Sequence, residues 1–389
     1  MPYLLGIDIG SGSTKAAVTR LGGGRDARGP LWEPVSLGVR TRTVPSALAT
    51  TPDGAAFPAE AERDAAIAVG GYLARVGDSL PMQFGGTHYP AHGLVAAMTR
   101  WVVDQVWQLL GETPERVALA CPTGWGPGRL RLVHAALAEA DLAGTALVTR
   151  ARAVVESFQA SGRVSASGGM LVVYRLGAAS VEISVVVPHG PGRVELLGSA
   201  ELDEISGYEL DGTDPGHARD VLRSTVDLAV HTVSACAGVS GEIAAVLIAG
   251  GSGSVHPIVT DLLSSAFSVP VLVDHDPEMT VAGGAALAAR PQPRAVPVPP
   301  SSAPSPGSVH GGPSAIAGTG PGGSSAPGGT APGGTAGGSS ALGGTALGGS
   351  SAIVGATPSW PEIADGRRVV PERPPRPPVR VGPVRAESQ

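Results

Sequence analysis

Apolar runs that break at glycine mark out this chain up to about residue 290. The run Leu4–Ile9 is apolar at almost every position, the pattern of a central strand buried on both faces. It breaks at Gly10 and resumes over Lys15–Thr19, which predicts a hairpin. The pattern recurs around Gly177, with strands expected over Met170–Tyr174, Val181–Val187 and Val194–Ala200. A third run, Ala245–Ala249, breaks at Gly250 and leads into a helix rather than a returning strand. Shorter strands are expected at Val44–Ala49, Val117–Ala120, Ala146–Val148 and Val269–Val273, with turn and strand over residues 52–57.

Helical periodicity separates these strands. Leu94, Met98, Trp101, Val102, Val106 and Leu109 fall on one face of a predicted helix over residues 94–110, which Gly111 ends. Residues 128–140, 154–159, 216–237 and 257–267 read as further helices, the fourth with Val221, Thr225, Leu228, Thr232 and Val233 on one stripe. A last helix is expected to begin at Asp276 as N-cap with Pro277 in its first turn and to run to about Arg290. Strand meanders followed by alternating helices and strands, given twice, predict an α/β protein of two related lobes, about 1–165 and 166–290, with a ligand cleft between them.

After Arg290 the pattern ends. Residues 291–389 are rich in Pro, Gly, Ser, Ala and Thr, with a GG-S/T-S/A theme repeating at about five-residue spacing. Such a segment cannot bury enough apolar surface to offset its ordering entropy, so a disordered tail is expected. Its Pro371–Pro383 stretch should be extended and polyproline-like, either as plain tail or as a docking peptide for a partner.

Charge and cysteine content narrow the classes. The 389-residue chain has net charge −6; the tail's seven Arg against four acidic residues give +3, leaving the folded part near −9. That argues against a broad nucleic-acid-binding face. Lys15 is the only lysine, so any chemistry needing one must use it. It is expected to be a solvated or loop-stabilising charge rather than a phosphate contact. Cys121 and Cys236 form no CxxC pair and fit small buried residues in a reducing, cytoplasmic setting. No signal peptide and no spanning apolar run is visible. His88 and His92 flank Pro90, which opposes a helical metal pair, and no GxSxG or HExxH motif is present.

The glycine breaks carry the candidate chemistry. In the first, Asp8-Ile9-Gly10-Ser11-Gly12-Ser13-Thr14-Lys15, glycines let backbone N–H groups approach phosphate oxygens and hydroxyls add donors; Asp8 could orient a Mg²⁺-bound water. The second is Gly177-Ala178-Ala179-Ser180 and the third Gly250-Gly251-Ser252-Gly253. In order and context these segments resemble the two phosphate loops and the adenosine loop of the actin/hexokinase-like ATPase superfamily, and most of all the ATPase domain of the 70-kDa heat-shock chaperones. Asp276-Pro277-Glu278 and Val281–Ala286 match that family's final helix. The resemblance covers about residues 1–290. It implies a two-lobed actin-like ATPase fold and ATP or ADP, with or without Mg²⁺, at the residues just named.

It also exposes departures. The family's catalytic lysine aligns with Leu73, its glutamate after the connecting strand with Arg150, and its aspartate before the second loop with Arg175. Ala178 and Ala179 stand where the family has glycines, and Ser254 where an arginine stacks on the base. For Arg150 and Arg152 a solvated helix face is the competing expectation. Fewer than 40 residues separate Asp211 from Gly250, too few for the subdomain that covers the adenine in that family, so the resemblance implies a reduced second lobe. A peptide-binding domain is absent from the sequence given. Exchanging carboxylate for guanidinium changes local charge by two units; one unit pair at roughly 4 Å and an effective dielectric of about 20 is worth about 4 kcal/mol. A metal would be disfavoured and a metal-free phosphate attracted. The resemblance thus implies a chaperone-like ATP-binding module with weak or absent hydrolysis. A nucleotide-free pseudo-ATPase scaffold for an unidentified protein partner is the alternative, and a polymerising or sugar-kinase relative the third possibility.

Overall fold

The computed structural model describes residues 1–21, 31–50, 56–59, 68–84, 87–202, 205, 210, 214–236, 242–251 and 257–290. Expectations for Ser252, Gly253, Ser254 and the tail at 291–389 lie outside the described residues.

The described residues form a mixed α/β structure with two principal sheets, and the same succession of elements builds each. In the first, β1 (Tyr3–Ile9), β2 (Ser13–Arg20) and β3 (Glu33–Val35) form an antiparallel meander. Helix α1 (Ala91–Leu110) leads to β9 (Arg116–Cys121), α2 (Pro127–Glu139) to β10 (Ala146–Thr149), and α3 (Arg150–Ala160) follows. Strand order is β10-β9-β1-β2-β3, with β9 and β10 parallel to β1. In the second, β11 (Met170–Leu176), β12 (Val181–Pro188) and β13 (Val194–Leu202) form the meander. Helix α4 (Pro215–Cys236) leads to β14 (Ile243–Gly250), α5 (Pro257–Ala266) to β15 (Val271–Val273), and α6 (Thr280–Ala288) follows. The order β13-β12-β11-β14-β15 reproduces those five strands in the same arrangement. Two small hairpins, β5 (Leu48–Thr50) with β6 (Ala56–Pro58) and β7 (Met82–Phe84) with β8 (Thr87–Tyr89), lie within the first half's sequence.

Alternation along the strands sorts their side chains between cores. Tyr3, Leu5, Ile7 and Ile9 of β1 face a core shared with α1 and α2; Met170, Val172, Tyr174 and Leu176 of β11 face one shared with α4 and α5. The opposite faces meet in a third core. There Leu4, Ala118 and Val148 join Leu171, Val173 and Leu247 through Ala151, Val154 and Phe158 of α3 and Val281 and Ala285 of α6. This inner core explains why β1 and β11 read as unbroken apolar runs: both faces are covered. Close approach sets its spacing. A Cβ on Gly6 would collide with the α6 backbone at Ala282 and Ala286, and one on Gly284 with the α3 backbone at Ala153.

Several boundaries differ from expectation. The expected strand at 44–49 is two pieces: β4 (Val44–Pro45) pairs with β2 and β5 with β6. Pro45 has no N–H to extend the ladder, and Ser46 instead donates its N–H to Gly12 O at 3.0 Å. The expected short helix at 154–159 begins at Arg150, because the Thr149 hydroxyl accepts the Arg152 N–H at 3.3 Å and caps it. The last helix begins at Thr280, not Asp276. Asp276 O accepts the N–H groups of Met279 and Thr280 in a preceding turn, and Pro277 O is taken by the Gly250 N–H at the end of β14. Leu109 is exposed although it lies on the expected apolar face. On α4 the buried stripe is Leu222, Val226, Ala229 and Val233 with Thr225 and Thr232, while Val221 and Leu228 lie at its margin. Gly111 ends α1 as expected, with φ 71° and its N–H on Trp107 O. Among the described residues no helix is long and apolar enough to cross a membrane.

Candidate functional site

The two meander hairpins bring four charged side chains together at the inner core's edge, and α3 adds a fifth. Asp8 lies two residues before Gly10 on β1, and Arg175 two residues before Gly177 on β11. In the hairpin registers Asp8 pairs with Lys15 and Arg175 with Glu182. The two turns close alike, Gly10 N–H on Ser13 O at 3.0 Å and Gly177 N–H on Ser180 O at 2.8 Å. The duplicated architecture therefore puts an acid–base pair and a base–acid pair at equivalent positions. All four side chains are almost fully buried.

Arg150, at the first position of α3, ties the pairs together. Its Nε donates to Asp8 Oδ1 at 3.3 Å, its Nη2 to Ile9 O at 2.8 Å, and its Nη1 to Glu182 Oε2 at 3.4 Å. It is buried, so the expectation of a solvated face fails for Arg150; Arg152, on the same helix, is partly exposed and pairs with Glu156 at 3.5 Å. Arg175 Nη2 stands 3.8 Å from Asp8 Oδ2, so each carboxylate oxygen of Asp8 faces a guanidinium. The other Glu182 oxygen, Oε1, accepts the Thr123 N–H at 3.0 Å, and the Thr123 hydroxyl accepts the Ala151 N–H at 3.1 Å. Residues from both halves thus share one buried network. Burial alone would raise the Asp8 pKa, but Arg175, Arg150 and Lys15 outweigh it and hold the carboxyl below its ordinary value. Burial likewise opposes the charge on Arg150, yet Asp8 and Glu182 raise its pKa.

Lys15 is not solvated. It is buried beside Asp8, and its Nζ donates to Ser13 O at 3.3 Å, which retains the loop-stabilising part of the expectation. Burial, despite Asp8, pulls its pKa down.

The sequence-selected glycine turns surround these charges. A Cβ on Gly10 would lie 3.7 Å from Arg175 Nη2, and one on Gly177 3.1 Å from Arg175 Nη1, so the guanidinium ends between the two turns. Ser11 Oγ accepts the Ala179 N–H at 3.2 Å, linking the turns directly. Gly12 and Ser13 continue into β2, Ala178 is partly exposed, and Ser180 is buried. Of the third loop, Gly250 (φ 128°) packs on the Leu176 backbone and Gly251 N–H donates to Leu176 O at 3.0 Å, so this strand end abuts the second turn. Leu73 packs against the apolar core of the first half. Cys121, at the end of β9, is buried and its thiol is pushed up to about 12 by burial, less what Arg150 offsets.

Sequence reasoning missed Glu182, Thr123 and the burial of Lys15. For Glu182 a signal existed: it is a lone carboxylate within the apolar run Val181–Val187, on the residues that alternate toward the inner face.

The depressed Asp8 pKa predicts a pH dependence. Because the native value lies below the unfolded one, near ~3.9, the stabilisation from Asp8 is complete above that unfolded value and is lost as pH falls through the native value. Asp8→Asn should therefore be less stable than wild type at neutral pH, and the gap should close in acid. Urea midpoints from pH 7 to 3 measure this; a gap that does not vary with pH would refute it.

Among the described residues no group of three or more His, Cys, Asp or Glu is placed to hold a metal ion. No family model matches the chain, and no curated protein matches it.

Proposed function

We propose that residues 1–290 are a two-lobed actin-like ATPase fold of the 70-kDa heat-shock chaperone type, with a reduced second lobe, that binds ATP or ADP and does not turn it over. The fold reading is supported by the duplicated order of three meander strands followed by helix, strand, helix, strand, helix. It is further supported by the glycine turns of both halves lying against one guanidinium, that of Arg175, with the Gly250 strand end beside the second turn.

The observation that carries the loss of turnover is the state of Asp8. Both of its oxygens face guanidinium groups, one from the position where the resemblance puts a glutamate and one from that of an aspartate. A divalent ion does not fit there: reaching Asp8 would break two buried ion pairs and set a dication beside two arginines. Glu182, the other carboxylate of the cluster, is held by Arg150 and the Thr123 N–H. Neither Asp8 nor Glu182 is left to orient an attacking water, and phosphoryl transfer depends on positioning and electrostatics. The Gly10 and Gly177 turns, with Ser11, Gly12, Ser13, Ala178, Ala179 and Ser180, are suited to oxyanions, and Gly250 and Gly251, with Ser252 and Gly253, to the nucleoside.

The second reading is a nucleotide-free scaffold for a protein partner. It is favoured by the Ser11–Ala179 hydrogen bond, which joins the turns directly. Calorimetric titration of the full chain with ATP and ADP, beside an assay for released phosphate, separates the readings. Micromolar binding with no phosphate above the buffer blank is expected. Steady ATP hydrolysis would refute the loss of turnover, and absence of binding, with an unchanged melting temperature, would leave the scaffold.

A further inference from the structure

Three cationic side chains, Lys15, Arg150 and Arg175, meet two carboxylates, Asp8 and Glu182, in a nearly dry cluster. Arg150 uses its donors on Asp8, Glu182 and the Ile9 carbonyl. Arg175 does not. Among the described residues its one ion pair, to Asp8, is long at 3.8 Å, and its Nε is buried with no hydrogen-bond partner, the side chain being only 5% exposed. A buried donor without a partner is costly, more so for a charged group, and an incoming acceptor removes that cost. The guanidinium ends between Gly10 and Gly177, whose missing side chains leave room beside it. Burial and then the neighbouring Arg150 lower the Arg175 pKa, and burial lowers that of Lys15; an added anion would relieve both.

We propose that this cluster, between the two glycine turns, takes the phosphoryl end of its ligand free of metal, with Arg175 standing in for the divalent cation. The inference rests on the nucleotide reading above and deepens it. A guanidinium stays protonated and presents a planar fork of N–H donors that matches two phosphate oxygens, and the spare Nε with an adjacent Nη forms such an edge. Mg²⁺ is then an antagonist. It withdraws two charges from the ligand and cannot be met by Asp8, whose oxygens are engaged.

The test is calorimetric titration of the full chain with ATP, ADP and inorganic pyrophosphate, each in EDTA and in excess Mg²⁺, for wild type and Arg175→Gln. Binding in EDTA should be about tenfold tighter than in Mg²⁺, and Arg175→Gln should weaken the metal-free binding by about tenfold or more, the loss expected of charge-assisted hydrogen bonds. The Mg²⁺ comparison needs only wild type, so a variant that fails to fold leaves the test intact. ATP binding that requires Mg²⁺, or that Arg175→Gln leaves unchanged, would overturn the metal-free site while keeping the nucleotide reading. Metal-free binding of pyrophosphate without ATP or ADP would keep the site and overturn the nucleotide. No binding of any of the three overturns both.

Discussion

Arg150→Met is expected to lower stability by about 3–5 kcal/mol, because it removes the guanidinium that is hydrogen-bonded to two buried carboxylates. Asp8 would keep the longer contact to Arg175 and the Lys15 charge beside it, and Glu182 the Thr123 N–H and the charge of Arg175 across the hairpin. The Ile9 carbonyl would lose the 2.8 Å hydrogen bond it accepts from Nη2. At roughly 2–4 °C per kcal/mol for a domain of this order of size, the melting temperature should fall by about 10 °C. Arg150→Lys should recover little, since one ammonium cannot span three acceptors in the plane of a guanidinium. Combining Arg150→Met with Asp8→Asn and Glu182→Gln should recover part of the loss, because replacing all members of a buried ionic group is far less costly than removing one. A single-variant loss below about 1 kcal/mol would show that water reaches the cluster and that the network is not desolvated.

Gly284→Val is the second large effect. Helices α3 and α6 cross with Gly284 against the backbone of Ala153, and the collision of any Cβ there is with carbonyl and Cα atoms, not with a movable side chain end. Relief requires the helices to part, which would open the inner core around Val154, Phe158, Val281 and Ala285. Overpacking of this kind costs about 3 kcal/mol or more where backbone must move. Gly6→Val should behave alike, since its side chain would meet α6 from the β1 side. Denaturant midpoints measure both. Because Asp8 follows Gly6 on the same face of β1, Gly6→Val should also disturb metal-free ligand binding, whereas Gly283→Ala presses on the Trp32 ring and should act on stability with less effect at the cluster. Wild-type midpoints for Gly284→Val and Gly6→Val would mean the helices sit further apart than described.

The sequence alone determined the kinds and succession of elements and the places where turns had to fall. Apolar runs, glycine breaks and helical periodicity are local signals, set by backbone sterics and by which faces must be buried, and they located β1, β2, β11, β12, α1 and α4 closely. They could not fix ends governed by distant hydrogen bonds: Pro277 looks like a helix start, but its carbonyl is bound to Gly250, and the helix begins three residues later. The candidate site was half legible. Gly10 and Gly177 stood out because each breaks an apolar run, and Arg150 and Arg175 were visible as positive charges at positions where the resemblance implies carboxylates. Only the tertiary structure decided what those charges do. Spacing along the chain says nothing of which carboxylate a buried arginine meets, and Asp8, Arg150 and Glu182 are separated by 142 and 32 residues in sequence while lying within ion-pair distance in space. Lys15 looked solvated because a lone lysine usually is; it is buried because the hairpin register sets it opposite Asp8, and the second half closes over that pair.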